Sequence, residues 1–225
     1  MSAREHILAS VRRSLGRGPL PPARIAELDA SIAEHAPNLI PERARLPREQ
    51  QLDLLVRMAE DVGTTFSLVS SLDKVPRAVA DFLMQNGLPR QLRMSPDPAL
   101  GRIPWSAAAE LAITRGPARD DDLVSLTPAF AAVAETGTLV LLSGAGRPAT
   151  LNFLPDTHVV VLEANDVVGS YEEALVKLRA TATGRASFMP RTVNFITGPS
   201  RTADIALTIV RGAHGPRRLH VVLVR

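Results

Sequence analysis

Short runs of apolar, often β-branched residues alternate along most of this chain with stretches in which apolar residues return every three or four positions. The continuous runs at 64–69, 91–94, 111–114, 138–142 (TLVLL), 158–162 (HVVVL), 193–197 and 220–224 (HVVLV) predict strands. The three-to-four spacing predicts helices over 3–15, 23–35, 51–62, 74–86, 171–182 and 203–210. Leu126, Phe130 and Val133 also share one helical face, so a helix is expected over 125–134 with Pro128 near its start. Strands that are apolar throughout, alternating with helices, imply an α/β fold whose sheet is largely parallel and covered by helices on both faces. Gly16, Gly18, Pro19, Pro21 and Pro22 break the chain after the first helix, and Pro37, Pro41 and Pro47 punctuate it after the second. The organisation expected is an N-terminal helical arm with a proline-rich linker over 1–48 and an α/β domain over 49–225.

Composition narrows the function classes. The formal net charge is +3, and no basic run is interleaved with the few aromatic residues, so nucleic acid is not an expected partner. There is no cysteine, which leaves no thiolate for zinc, an iron–sulfur cluster or nucleophilic catalysis. No apolar run approaches the ~20 residues of a membrane span, and the first residues lack the apolar core of a signal peptide. A cytoplasmic location is expected. No histidine pair has metal-ligand spacing, so no metal site is expected.

Two junctions carry candidate chemistry. In the stretch TVNFITGPSRTAD over 192–204, a strand stops at Gly198-Pro199 and a helix is expected to open at Ser200 or Thr202, with Asp204 in its first turn. Arg201 then sits at the positive end of that helix, which calls for a neighbouring carboxylate or a bound anion. The second junction, Glu135-Thr136-Gly137-Thr138, is read as a helix-to-strand turn, with Glu135 at the negative end of its helix. Opposite misplaced charges allow two readings. One is a structural Glu135–Arg201 ion pair. The other is a shared pocket at the ends of adjacent parallel strands, in which Thr136, Thr138, Ser200 and Thr202 donate hydrogen bonds, Arg201 holds an anion and Glu135 acts as a base. His214, flanked by glycine on the loop 212–216, is the histidine best placed for catalysis; His158 and His220 at strand starts read as hydrogen-bonded core-edge residues. The run Gly144-Ala145-Gly146-Arg147-Pro148-Ala149 satisfies a dinucleotide fingerprint by letter, but leaves no room for a helix before the next strand and reads as a loop.

Four segments, AETGTLVL at 134–141, LPDTHVVV at 154–161, ITGPSRTADI at 196–205 and GAHGPRRLHVVLV at 212–224, resemble the lactate utilization protein C family, whose core is the LUD domain. The resemblance spans roughly residues 60–225 and is dense from about 125. It implies a fold similar to the NagB/RpiA/CoA-transferase-like group. It also implies a part in a cytoplasmic three-component system that oxidises L-lactate to pyruvate. This cysteine-free chain would be the subunit without clusters, and the iron–sulfur clusters would belong to two partner subunits. The family motifs map onto Thr136, Gly137, Thr138, Gly198, Ser200, Arg201, Thr202 and Asp204 as a pocket for a small carboxylate or phosphate. The resemblance leaves open whether this subunit is catalytic. A free-standing enzyme on a phosphorylated sugar or folate-like substrate, with Glu135 as base, and a passive interaction module are the alternatives.

Overall fold

In the computed structural model, residues 2–16, 18–181, 189–202 and 210–225 are described. They fall into two compact units, Met1–Leu39 and Ile40–Arg225. The first unit holds helices α1 (Ala3–Ser14) and α2 (Pro22–Glu34). Helix α1 opens on a reciprocal cap, in which Ser2 accepts from the Glu5 amide and Glu5 accepts from the Ser2 amide. The division falls at Leu39/Ile40 and not at residue 48 because the segment between is built into the second unit. Ala44 is fully buried, its carbonyl accepts from Gln51 Nε2, and Arg48 donates to the Val167 carbonyl.

The second unit runs, in chain order, through α3 (Arg48–Asp61), β1 (Thr65–Val69), α4 (Val75–Gln85), β2 (Gln91–Met94), the single turn α5 (Pro98–Gly101), β3 (Ala112–Arg115), β4 (Val124–Pro128), β5 (Ala131–Val133), β6 (Thr138–Leu142), β7 (Thr157–Glu163), β8 (Val167–Val168), α6 (Tyr171–Ala180), β9 (Val193–Ile196), β10 (Arg201–Thr202), β11 (Val210–Arg211) and β12 (Arg218–Val224). Six of the strands make one sheet in the order β1-β12-β7-β4-β2-β3, parallel throughout. A second sheet, β8-β5-β6-β9, is antiparallel except where β5 meets β8. The fold is α/β, with a largely parallel central sheet flanked by helices.

Alternation along the strands divides the core. Val159 and Val161 of β7, Val222 and Val224 of β12, and Val124 and Leu126 of β4 face α4, which contributes Val75, Val79, Phe82 and Leu83. Val160, Leu162, Leu219, Val221 and Leu223 face the other way, onto α3 through Leu52 and Leu55, and onto the second sheet through Leu139 and Leu141. The far side of the second sheet is closed by Ala174 and Tyr171 of α6. Burial of these unbroken apolar runs on both faces is what the parallel arrangement requires.

Three expectations fail here. The expected helix over 125–134 is two strands, β4 and β5. Leu126, Phe130 and Val133 do have helical spacing, but Val124 and Leu126 alternate with Ser125 and Thr127, and β4 is paired on both sides by β2 and β7. Nor does a helix open at Ser200. Arg201 and Thr202 form β10, an antiparallel ribbon with Val210 and Arg211. Residues 203–209 of the helix expected over 203–210, with Asp204 and the alternative opening at Thr202 that would lead into them, lie outside the described residues, and Val210 stands in β11. Finally, β6 and β9, read as members of the parallel sheet, belong to the antiparallel one. Apolar patterning places a strand in the interior but does not specify the direction of its neighbour.

Candidate functional site

The two junctions meet on the same piece of structure, the carboxyl end of α3. At Ala134–Thr138, Gly137 adopts φ +66°, and a Cβ there would lie 2.5 Å from the Ala59 nitrogen and 2.7 Å from the Met58 carbonyl carbon. Only glycine lets this turn sit on the helix backbone. At the other junction Gly198 adopts φ +77°, and its Cβ would meet Val62 Cγ2 and the Val62 carbonyl oxygen at 2.9 Å. The Arg201 guanidinium donates to that same Val62 carbonyl, just past the last turn of α3. A cation is favourable at a helix carboxyl end and satisfies an orphan carbonyl there. The negative partner that Arg201 calls for is thus the end of α3. No salt bridge joins Glu135 to Arg201 among the described residues, so the ion-pair reading falls. With β5 ahead of it, Glu135 is not at a helix end, and the dipole argument for its charge falls too. Its side chain is buried, and its amide donates to the Gly169 carbonyl at 3.2 Å.

Thr136, Thr138, Thr197 and Tyr171 form a hydroxyl cluster. Thr138 Oγ1 lies 2.8 Å from Thr136 Oγ1, 3.0 Å from the Tyr171 hydroxyl and 2.7 Å from Thr197 Oγ1. Thr136 donates to the Tyr171 hydroxyl at 3.1 Å. Thr138 has no exposed surface, so the cluster ties β6, α6 and the end of β9 together from within. Of its members only Thr197 reaches a cleft.

That cleft has a volume of about 320 Å³ and lies at the amino ends of β7 and β12. Its lining comes from three loops. Asn152 and Phe153 follow β6, Thr197 to Arg201 follow β9, and His214 to Pro216 precede β12; His158, Phe195, Ile196 and Leu219 line it from the strands. Ser200 clasps two of these loops together. Its amide donates to the Pro216 carbonyl at 2.9 Å, its carbonyl accepts from Gly212 at 3.0 Å, and its Oγ accepts from the His214 amide at 3.4 Å. Gly198, Ser200, Arg201 and His214 of the sequence candidates therefore share one cleft. Glu135, Thr136, Gly137 and Thr138 are not among the residues that line it, and a common pocket of both junctions does not form. Thr202 lies next to the cleft on β10, outside its lining. The cleft is also at the opposite end of the parallel strands from the carboxyl edge where open α/β sheets usually bind ligands.

Two buried polar residues of the cleft were not among the sequence candidates, His158, read as a core-edge residue, and Asn152. His158 has no exposed surface, and Thr127 Oγ1 lies 2.7 Å from its Nε2, while its Nδ1 has no hydrogen-bond partner among the described residues. Burial pushes its pKa down to about 3, so the imidazole is neutral at ordinary pH. Its neighbour in the next strand, His220, has both ring nitrogens engaged, by Thr65 Oγ1 at 2.8 Å and Ser67 Oγ at 3.1 Å, and stacks on Phe82 with centroids 3.8 Å apart. Asn152, also buried, lines the cleft from a 3-10 turn. Position alone would have suggested a core histidine at 158; its incomplete bonding is visible only in three dimensions. Among the described residues lining the cleft none is acidic, while Arg201, Ser200, Thr197 and Asn152 all carry hydrogen-bond donors.

A parallel α/β domain with a donor-rich cleft built by its last third defines the general class. Residues 121–224, a little under half of the chain, match the family model of the LUD domain. The chain is similar to lactate utilization protein C of a Geobacillus species, 35% identical over 101 residues covering 45% of this chain and 42% of that one. Lactate utilization protein C of an Exiguobacterium species is 37% identical over 101 residues, 45% of this chain and 44% of that one. An uncharacterized protein of Neisseria meningitidis serogroup B is 37% identical over 92 residues, 41% and 38% of the two chains. The matched region thus spans about two-fifths of the length of these curated relatives. A crystal structure of a DUF162 family protein from Deinococcus radiodurans superposes with a TM-score of 0.58 at 25% identity, covering 80% of this chain and 99% of that one.

Proposed function

We propose that this protein acts in lactate utilization as the cluster-free subunit of a cytoplasmic L-lactate-oxidising system, with the cleft at His158 as its ligand site. One observation carries the reading. Every residue that lines the cleft, from Asn152 to Leu219, falls inside the segment 121–224 that matches the LUD domain and relates the chain to proteins named for lactate utilization. The family resemblance implies that iron–sulfur clusters on two partner subunits carry the electrons of lactate oxidation, and this chain offers no thiolate to hold one itself. In this reading Arg201, Ser200, Thr197 and Asn152 offer donors to an acceptor-rich or singly charged ligand. Glu135, buried away from the cleft, has no part as a base. The fold relation to the NagB/RpiA/CoA-transferase-like group belongs to the same proposal.

The test is a tagged pull-down from native cells combined with deletion of the gene. Recovery of two cysteine-rich iron–sulfur proteins, lactate-dependent dye reduction by the recovered assembly, and loss of growth on L-lactate in the deletion strain are expected. Recovery of the chain alone, with growth on lactate unchanged by deletion, overturns the proposal.

A further inference from the structure

We infer that the cleft takes a planar, conjugated, carbonyl-bearing ring of the quinone-headgroup kind, and not a three-carbon acid alone. The inference rests on the reading of this cleft as the ligand site and names the class of ligand.

Size is the first ground. At about 320 Å³ the cleft falls at the lower end of the roughly 300–1,000 Å³ typical of sites for drug-sized molecules. Lactate or pyruvate would leave most of it to water. The second ground is the rim. Phe153, from the loop after β6, and Phe195, from β9, line the same cleft and remain 41% and 44% exposed. Phe195 is braced by the Tyr171 ring at 5.5 Å between centroids, and Phe153 lies against the Gly215 turn that Ser200 also touches. Exposed rings held in place beside a cleft offer faces and edges to another ring. The third ground is the polar inventory. Ser200 Oγ accepts the His214 amide and keeps its own proton to donate. Thr197, Asn152 and Arg201 add donors, and none of the described lining residues is a carboxylate. Such a set matches an oxygen that only accepts, as a ring carbonyl does. The one guanidinium is already shared with the end of α3, which fits an uncharged or singly charged ligand better than a phosphate. His158 adds a neutral imidazole whose Nδ1 is without a partner among the described residues.

Menadione is the probe, titrated into the full chain by calorimetry alongside L-lactate and pyruvate. The chain has no cysteine, so the thioether adducts that quinones form with thiols cannot arise. Menadione is expected to bind one to one and not to be displaced by either acid. Phe153→Leu and Phe195→Leu should each weaken it by about 3- to 10-fold, the scale of a lost aromatic pair, with the fold retained and the melting temperature lowered by no more than a few degrees, because both rings are partly exposed and leucine keeps much of their apolar contact. Wild-type affinity in both variants means the quinone adheres elsewhere and overturns the inference. So does lactate or pyruvate binding that displaces menadione, or no menadione binding at all. Those results leave the deletion phenotype on lactate untouched, so the failure of the ligand class is distinguishable from failure of the lactate role.

Discussion

Two turns that read almost alike, Glu135-Thr136-Gly137-Thr138 and Thr197-Gly198-Pro199-Ser200-Arg201, both press a left-handed glycine onto the end of α3, yet they serve different ends. The first is enclosed. Glu135, Gly137 and Thr138 are buried, and the hydroxyls at Thr136 and Thr138 are spent on each other, on Tyr171 and on Thr197. The second is enclosed on one side only. Gly198 and Arg201 fasten it to Val62, while Ser200 and Thr197 face the cleft with the loop 212–216 across from them. The same local chemistry, a glycine among hydroxyl residues, thus builds a buried clamp in one place and the wall of a site in the other. What separates them is whether the second face of the turn is covered.

The largest expected effect tests the closed turn. Gly137→Ala places a methyl against helix backbone that cannot move aside, at a φ that disfavours alanine, and should cost at least about 3 kcal/mol in urea unfolding. A cost below about 1 kcal/mol would mean the turn is not seated on α3. The next effect separates the two sides of the large sheet by pH. Burial holds His158 near 3 and His220 near 4, both below the ordinary 6.5. Below pH 6.5 the unfolded chain binds protons that the folded chain refuses. Stability is therefore full above that pH and falls progressively as pH drops toward those values. At pH 5 the loss is up to about 2 kcal/mol per histidine. His220→Gln should remove roughly half of that slope between pH 7.5 and 5, measured by denaturant titration at each pH. An unchanged slope would show that His220 is not the buried base described.

Gly198→Ala should be milder than Gly137→Ala, about 1–2 kcal/mol, because its closest contacts include the Val62 side chain. Unlike Gly137→Ala, it should also weaken menadione binding, since it shifts the wall that carries Ser200. A stability loss equal to that of Gly137→Ala with unaltered binding would erase the distinction between the turns. The smallest effect belongs to Arg201. Losing an exposed cation at the end of α3 through Arg201→Ala should cost about 0.3–1 kcal/mol. Arg201→Lys should recover most of that, because a point charge serves a helix end although it cannot reproduce the guanidinium fork. No recovery by lysine would point to a planar contact that the fork alone makes.

The strands and helices of the second unit were legible wherever the apolar run was long and unmixed, as in TLVLL, HVVVL and HVVLV. The stretch 125–134 was not, because Leu126, Phe130 and Val133 satisfy a helical period by accident while tertiary pairing with β2 and β7 decides the matter. Arg201 stood out for the right reason, a charge in need of a partner. The partner is the end of a helix some 139 residues earlier in the chain, which no local rule could supply. The cleft was half legible. Ser200, Arg201, Gly198 and His214 were picked out as loop residues with chemistry, but Phe153, Phe195, Asn152 and His158 look like ordinary apolar or core-edge positions until the loops are brought together.

The place of β12 in the large sheet has a further consequence, for synthesis. β1 pairs with β12, and Thr65 meets His220 across a separation of 155 residues. While a ribosome is still making residues 70–217, β1 has no strand beside it in this sheet, and β7 lacks one of its two neighbours. At about 5–20 residues per second that interval lasts several seconds or more. Throughout it the apolar runs of the sheet carry open edges that would pair readily with another chain. The protein should therefore lean on chaperones until residues 218–224 have left the exit tunnel, and a nascent chain stalled just before them should aggregate where one stalled on an appended linker long enough to hold them outside the tunnel does not.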